Sequence, residues 1–276
     1  MISVAMTTYN GEKYIKQQIE SILSQSVAID ELIICDDISK DRTAEIIKEI
    51  NDDRITFIVN EKNLGFIKNF HKAICLTKGD YIFLADQDDI WEPNKVERII
   101  ETMQATNAMA ICTNYKLIDE NGNSLGDKNN YNIPSFVLTV SKPIQKITLP
   151  MLAYDNLVQG CTYCFTKDIK ENYLAVNNKS VAHDYQIMLI SANLGGAYFL
   201  NEELVQYRLH SSNTIGFSKG NKKIELKDKK ARKKPLMVQL MDDINRITPV
   251  KNKWCYDLLY YFRIPLIVAW VKSRMH

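Results

Sequence analysis

The chain lacks any run of roughly 18 uninterrupted apolar residues, the length that a membrane-spanning helix requires. It opens on Met1-Ile2-Ser3-Val4-Ala5-Met6 with no charged leader before a long apolar segment. A secretory signal is therefore not expected, and the cytoplasm is the expected compartment. Charge of one sign is missing too. The 276 residues carry a formal net charge of +2, too little to draw the whole molecule to a polyanion. The six cysteines are scattered, apart from Cys161 and Cys164 in Cys161-Thr162-Tyr163-Cys164. With no second pair, a zinc site is not expected, and the cysteines read as free thiols of a reducing compartment. There is no internal repeat and no recognised nucleic-acid-binding module.

What is present suits a packed globular chain. Hydrophobic residues make up 46% and charged residues 25%, and the length fits one large domain with a smaller appendage. Charge is balanced up to about residue 200, whereas 219–234 reads KGNKKIELKDKKARKK. After it, 254–271 (WCYDLLYYFRIPLIVAWV) is apolar and aromatic, interrupted by Asp257, Arg263 and Pro265. A boundary is placed there: a catalytic domain over 1–218 (halves 1–97 and 98–218), then a basic and aromatic helical extension over 219–276. Lysines beside an aromatic helix suit a membrane interface with acidic headgroups. The competing reading is a helix packed on the core or on a second subunit, so the oligomeric state stays open with a dimer allowed.

The first hundred residues alternate between two periods. Segments 2–6, 31–35, 55–59 and 81–85 are short apolar strands. Between them, 13–25, 43–50 and 66–76 carry apolar residues at helical spacing, and a further helix follows Pro93. This order predicts an α/β fold with a mostly parallel central sheet flanked by helices. Right-handed crossovers bring the carboxyl ends of the strands to one edge, where ligands bind. Thr7-Thr8-Tyr9-Asn10, Asp36-Asp37 and Asp86-Gln87-Asp88-Asp89 all fall at that edge. Beyond residue 97 the pattern is weaker. Residues 119–135 read as an exposed loop, 157–166 and 204–209 as strands, and 184–194 as a helix.

Carboxylates at the end of a buried strand cost desolvation energy unless something pairs with them. A hard divalent cation does so through oxygen ligands and typically also grips a diphosphate. The blander reading of Asp86 to Asp89 is a solvated turn. That of Asp36-Asp37 is a cap for the helix near residue 41. Asp184 alone reads as an N-terminal helix cap, His210 as a hydrogen-bonded surface histidine, and Trp91 equally as packing or as an acceptor platform.

Four ordered runs go further: VAMTTYNGEKYIKQQIESILSQ, IICDDISKD, NLGFIKNFHKAI and GDYIFLADQDDIWEPNKV. Together they span 2–97 almost continuously, and they resemble the family 2 glycosyltransferases of the GT-A fold, most closely the bacterial rhamnosyltransferase-like branch. Ala182-His183-Asp184-Tyr185 and Tyr207-Arg208-Leu209-His210-Ser211-Ser212-Asn213 resemble later motifs of the family. The resemblance implies that Thr8, Tyr9, Glu12, Asp37, Asn63, Lys68 and Asp86 line the nucleotide. It also implies that Asp88 and His210 serve Mn²⁺ or Mg²⁺ and that Asp184 is the catalytic base, while Trp91 stays the candidate acceptor residue. Many relatives have arginine where Lys68 stands and glycine where His71 stands.

The implied activity is inverting transfer from a nucleotide-diphosphate sugar, dTDP-rhamnose or a UDP-hexose. The implied acceptor is a glycan, lipid-linked, at the inner face of a bacterial membrane. Three other readings are weighed. A sugar nucleotidyltransferase needs a glycine-rich basic loop, and TTYNGEKY has a single glycine. A nucleic-acid binder rests on the lysine block alone. A non-catalytic relative conflicts with the presence of Asp88, Asp184 and His210.

Overall fold

The computed structural model describes residues 1–126, 142–152, 156, 159–176, 181–210 and 236–262. The chain begins β1 (Ile2–Thr8), α1 (Ile15–Leu23), β2 (Glu31–Asp36), α2 (Thr43–Glu49), β3 (Ile55–Val59), α3 (Phe66–Leu76), β4 (Tyr81–Ala85). A short β5 (Ile90–Trp91) leads into α4 (Lys95–Thr106) and the long β6 (Ala110–Ile118). Then come β7 (Ile144–Lys146), α5 (Leu149–Leu152), a 3-10 turn (Gly160–Thr162), β8 (Cys164–Thr166) and α6 (Lys167–Ala175). The described chain ends with α7 (His183–Asn193), β9 (Ala197–Arg208), α8 (Leu236–Ile247) and α9 (Lys253–Phe262).

The strands of the described residues form one sheet in the order β3-β2-β1-β4-β8-β6-β9-β5, with β7 also paired to β9. The long ladders β1–β2, β2–β3, β1–β4 and β6–β9 are parallel. The antiparallel ladders that β8, β5 and β7 make are only two or three residues long. All six residues of β2 are buried, so both faces of the sheet are covered. Helix α1 is held by Ile15, Gln18, Ile19 and Ile22, one stripe at i, i+3, i+4 and i+7. Helix α3 buries Asn69, Phe70, Ala73 and Ile74 and lies against β1 and β2. Gly65 starts α3 at φ +75°, a conformation in which a side chain is strained.

β1, β2 and β3 run to one side, and β4 returns to the other side of β1. The crevice between β1 and β4 is therefore a topological switch point, where open α/β sheets bind ligands. Register confirms that the carboxyl ends share one rim: Thr8 pairs with Asp36, and Met6 with Ala85.

The expected strands 55–59 and 81–85 and helix 66–76 have the observed bounds, and 184–194 forms α7. Segment 157–166 holds a 3-10 turn before a three-residue strand. β9 begins at Ala197, well before the expected 204. Strand β6 was not anticipated. It is buried at eight of nine positions, so it shows no alternation to read. Residues 127–135 of the expected loop, the basic block 219–234 and residues 263–276 lie outside the described residues. From the extension, Leu240, Met241, Ile244 and Val250 join the main core. The Asn193 amide donates to the Thr248 carbonyl at 3.1 Å. Trp254 on α9 is 65% exposed.

Asn69 ties helix to sheet. Its amide donates to the Cys35 carbonyl at 2.8 Å and its oxygen accepts from Asn60 at 2.8 Å, all of it buried. Asn69→Ala strands both partners and should lower stability by about 1–3 kcal/mol. A urea melt with unchanged slope and a lower midpoint is the expected result. An unchanged midpoint would show that water replaces the amide.

Candidate active site

The nucleotide side of the crevice is built by the loops after β1 and β2. The Thr8 hydroxyl donates to Asp36 Oδ1 at 2.7 Å, and the Ser39 amide donates to Asp36 Oδ2 at 2.8 Å. The amide of Asn10, itself at φ +50°, donates to the Ser39 hydroxyl at 2.9 Å, so the two loops are stitched together. Glu12 accepts from the Arg42 amide at 2.9 Å. The cap of α2 comes from Asp41, which accepts from the Thr43 amide, and not from Asp36 or Asp37. The Asp37 carboxylate is buried and accepts from Asn60 Nδ2 (2.9 Å) and the amides of Leu64 (2.7 Å) and Gly65 (2.8 Å). A carboxylate offers about four acceptor positions, so roughly one is left. The Asn63 amide donates to the Asp37 carbonyl at 3.1 Å, and Lys68 is exposed early in α3. His71 packs edge-on against Tyr173 of α6, and this packing occupies the ring that stands in place of the usual glycine.

Gln87 locks this side to the acidic loop. Its Oε1 accepts from the Tyr9 amide at 2.8 Å, and its Nε2 donates to the Tyr9 carbonyl at 3.1 Å. The Tyr9 side chain is left 49% exposed over the crevice. A Cβ at Gly11 would sit 2.4 Å from Gln87 Oε1, which explains the glycine.

In the acidic loop, Asp88 Oδ2 and His210 Nε2 are 2.8 Å apart, and the His210 ring lies 5.1 Å from that of Tyr14. Asp86 is held well above the usual carboxylate range by burial and by the charges of Asp89, Asp88 and Asp184. Asp184, at the start of α7, lies beside the same cluster: a Cβ at Gly160 would sit 3.3 Å from its Oδ2, and the adjacent Cys161 brings its sulfur within 4.8 Å of Asp86. Asp184 Oδ2 accepts from Asn156 Nδ2 at 2.9 Å, and Oδ1 accepts from the Tyr185 amide at 2.7 Å. Asp88, His210, Asp86 and Asp184 therefore gather along one side of the crevice.

Several residues in this arrangement were not singled out beforehand. Arg208 is buried and donates to the Asp88 carbonyl (2.7 Å) and to Gln17 Oε1 (2.9 Å). Its own amide donates to Asp89 Oδ1 at 3.1 Å, and its guanidinium lies 4.5 Å from the centre of the Tyr14 ring. Lys95 is fully buried. Its ammonium donates to the Cys161 carbonyl at 2.8 Å and sits 3.7 Å over the Trp91 ring. Burial pushes Lys95 down to about 7, opposed by Asp89 and Asp86 among its neighbours. It pushes Asp89 upward, aided by Asp88. The sequence signal was spacing: Lys95, Ile99 and Thr102 follow the apolar stripe of α4.

Trp91 is a correction. It is 2% exposed in β5, covered by Lys95 and packed 5.7 Å from Phe83, so it is core and not an acceptor platform.

For a divalent cation two donor sets stand side by side. Asp86, Asp89 and Cys161 bring one ligand atom each within 4.8 Å of one another. Burial and the two carboxylates keep the Cys161 thiol well above its usual range, so it stays protonated and serves a hard cation poorly. Asp88 with His210, next to the crowded Asp86, fits Mn²⁺ or Mg²⁺ better. Four carboxylates around one crevice are what such a cation relieves.

A parallel sheet with an acidic crevice at its switch point, faced by a further carboxylate on a helix start, is an architecture that can take a nucleotide beside a cation. The sequence comparisons make the assignment specific. The model of glycosyl transferase family 2 matches residues 3–168, and the chain belongs to that family. TuaG of Bacillus subtilis strain 168, a glycosyltransferase assigned to teichuronic acid biosynthesis, is 29% identical over 263 residues, 93% of each chain. The Escherichia coli WfgD, a UDP-Glc:α-D-GlcNAc-diphosphoundecaprenol β-1,3-glucosyltransferase, is 36% identical over 121 residues, 44% of this chain and 48% of that one. The structure of S. aureus TarS 1–349 in complex with UDP-GlcNAc superposes with a TM-score of 0.67 at 17% identity, covering 95% of this chain and 72% of that one. That likeness shows a shared GT-A fold.

Lys95→Met should cost about 1–3 kcal/mol, because the buried Cys161 carbonyl loses its donor and Asp89 loses a nearby opposing charge. Adding Asp89→Asn should return more than half of the loss in chemical denaturation. A double variant no more stable than the single one would mean that the two charges do not share an environment.

Proposed function

We propose that this glycosyltransferase is inverting and uses Mn²⁺ or Mg²⁺. Its donor is a nucleotide-diphosphate sugar and its acceptor a lipid-linked glycan of a bacterial surface polysaccharide. The observation that carries the reading is that Asp88, His210 and Asp86 share one rim with Asp184. UDP-hexose is the favoured donor, supported by the names of WfgD and of the TarS complex. dTDP-rhamnose is the second choice, and only the sequence resemblance favours it.

Thr8, Tyr9, Glu12, Asn63 and Lys68 line the nucleotide. The remaining acceptor position of Asp37 meets a base N–H, and Asp86 meets the ribose. Asp88 and His210 hold the cation. When bound, it offsets the charge that grows on the leaving diphosphate, a contribution of several kcal/mol. Asp184 takes the proton of the acceptor hydroxyl as that oxygen attacks the anomeric carbon, worth about 10²–10⁴ in rate. A single base and in-line displacement give inversion.

Calorimetry with UDP, dTDP, GDP and CMP should show binding of UDP or dTDP with Mn²⁺ and its loss with chelator or in Asp88→Ala. Asp184→Asn should bind UDP as the parent does while kcat falls about 10²–10⁴. Metal-independent binding, or an unimpaired Asp184→Asn, defeats the respective assignment. Release of pyrophosphate from a nucleoside triphosphate would favour the nucleotidyltransferase instead.

We also place the chain at the inner face of the membrane, with 1–218 as catalytic unit and 219–276 as the attaching extension. The lysine block and the exposed Trp254 support this. The full chain should sediment with anionic vesicles and be released by salt. Equal sedimentation with neutral vesicles would count against the lysines.

A further inference from the structure

Asp184 sits at the start of α7, and its carboxylate accepts from two amides, one of a side chain and one of the backbone. What orients it is neutral. Asn156 Nδ2 donates to Oδ2 at 2.9 Å, and the Asn156 Oδ1 accepts from the Tyr163 hydroxyl at 3.2 Å. The direction of this relay is fixed by chemistry. An ionised carboxylate only accepts, so the amide must turn its NH₂ toward Asp184 and its oxygen toward Tyr163. Tyr163 is 1% exposed, and burial, with Cys112 and Asp184 also contributing, holds its hydroxyl well above the usual range. It therefore stays a donor.

On the other side, Gly160 closes against the carboxylate: a Cβ there would lie 3.3 Å from Asp184 Oδ2 and 3.2 Å from Asp184 Cβ. The Tyr185 amide occupies one position on Oδ1. Asp184 is thus held by a side-chain amide and a backbone amide, with Gly160 leaving it room. Asn156 fixes the direction of Oδ2.

We infer that Asn156, set by Tyr163, is the positioning residue that aims the Asp184 carboxylate at the acceptor hydroxyl. The inference rests on Asp184 being the base. Misplacing a catalytic group by about 1 Å costs up to about a hundredfold in rate. Asn156→Ala should therefore lower kcat about ten- to a hundredfold while the KM for donor stays unchanged. Asn156→Asp, which sets carboxylate against carboxylate, should be worse. Tyr163→Phe should give a smaller loss in the same direction, because the amide then loses one of the bonds that orient it.

The test is a double-mutant cycle on the full chain, reading UDP release from UDP-glucose with a GlcNAc-diphospho-lipid acceptor and with water alone. Asn156→Ala should cost nothing further in an Asp184→Asn background, since there is no base left to aim. Equal losses in both backgrounds would mean a purely structural role and overturn the inference. So would an unchanged kcat in the parent background. If Asp184→Asn itself keeps its activity, the base assignment is what fails. Crystal structures of the parent and of Asn156→Ala add a readout that needs no turnover. The carboxylate should leave its position when Asn156 is truncated, and a carboxylate that stays in place overturns the inference.

Discussion

The buried guanidinium of Arg208 holds the acidic rim in shape. It stands at the end of β9, yet it reaches the Asp88 carbonyl, the carbonyls of Asp119 and Glu120 after β6, and Gln17 on α1. The segments it gathers are far apart in sequence and belong to both halves of the sheet. Arginine alone among side chains presents five donors in a rigid planar fork, so one residue can tie several separate carbonyls together. Because His210 follows two residues later, the same anchor sets where its ring meets Asp88.

The rim is a balance of like charges in a poorly solvated place. Burial pushes Asp86 and Asp89 upward, and repulsion from the neighbouring carboxylates adds to it. The charge of Lys95 below them opposes this in part. On the proposed reading, a bound cation would supply the rest. Stability and function pull apart here: a fully neutralised cluster would be a better core and a worse site.

The parallel half was legible in the sequence because its strands and helices differ in period and are separated by polar turns. The rim was legible because a parallel sheet sends every strand end to the same edge. Strand β6 was hidden by its own burial, and β9 was read short because Asn201, Glu202 and Glu203 interrupt its apolar pattern. Trp91 was misjudged since an aromatic next to a catalytic motif looks the same whether it faces solvent or core. Lys95 and Arg208 escaped because a cation is normally taken for surface, even where, as at Lys95, it falls on the apolar stripe of its helix.

The bracket that Gln87 forms around the Tyr9 backbone joins the loop proposed to meet the nucleotide to the loop proposed to meet the cation. The two loops cannot shift independently without breaking two hydrogen bonds. On that proposal, any tightening that one ligand imposes would be passed to the seat of the other. By thermodynamic reciprocity, the factor by which cation strengthens nucleotide would then equal the factor by which nucleotide strengthens cation. A glutamine between two aspartates would thus couple the two proposed sites and favour the loaded donor over either component alone.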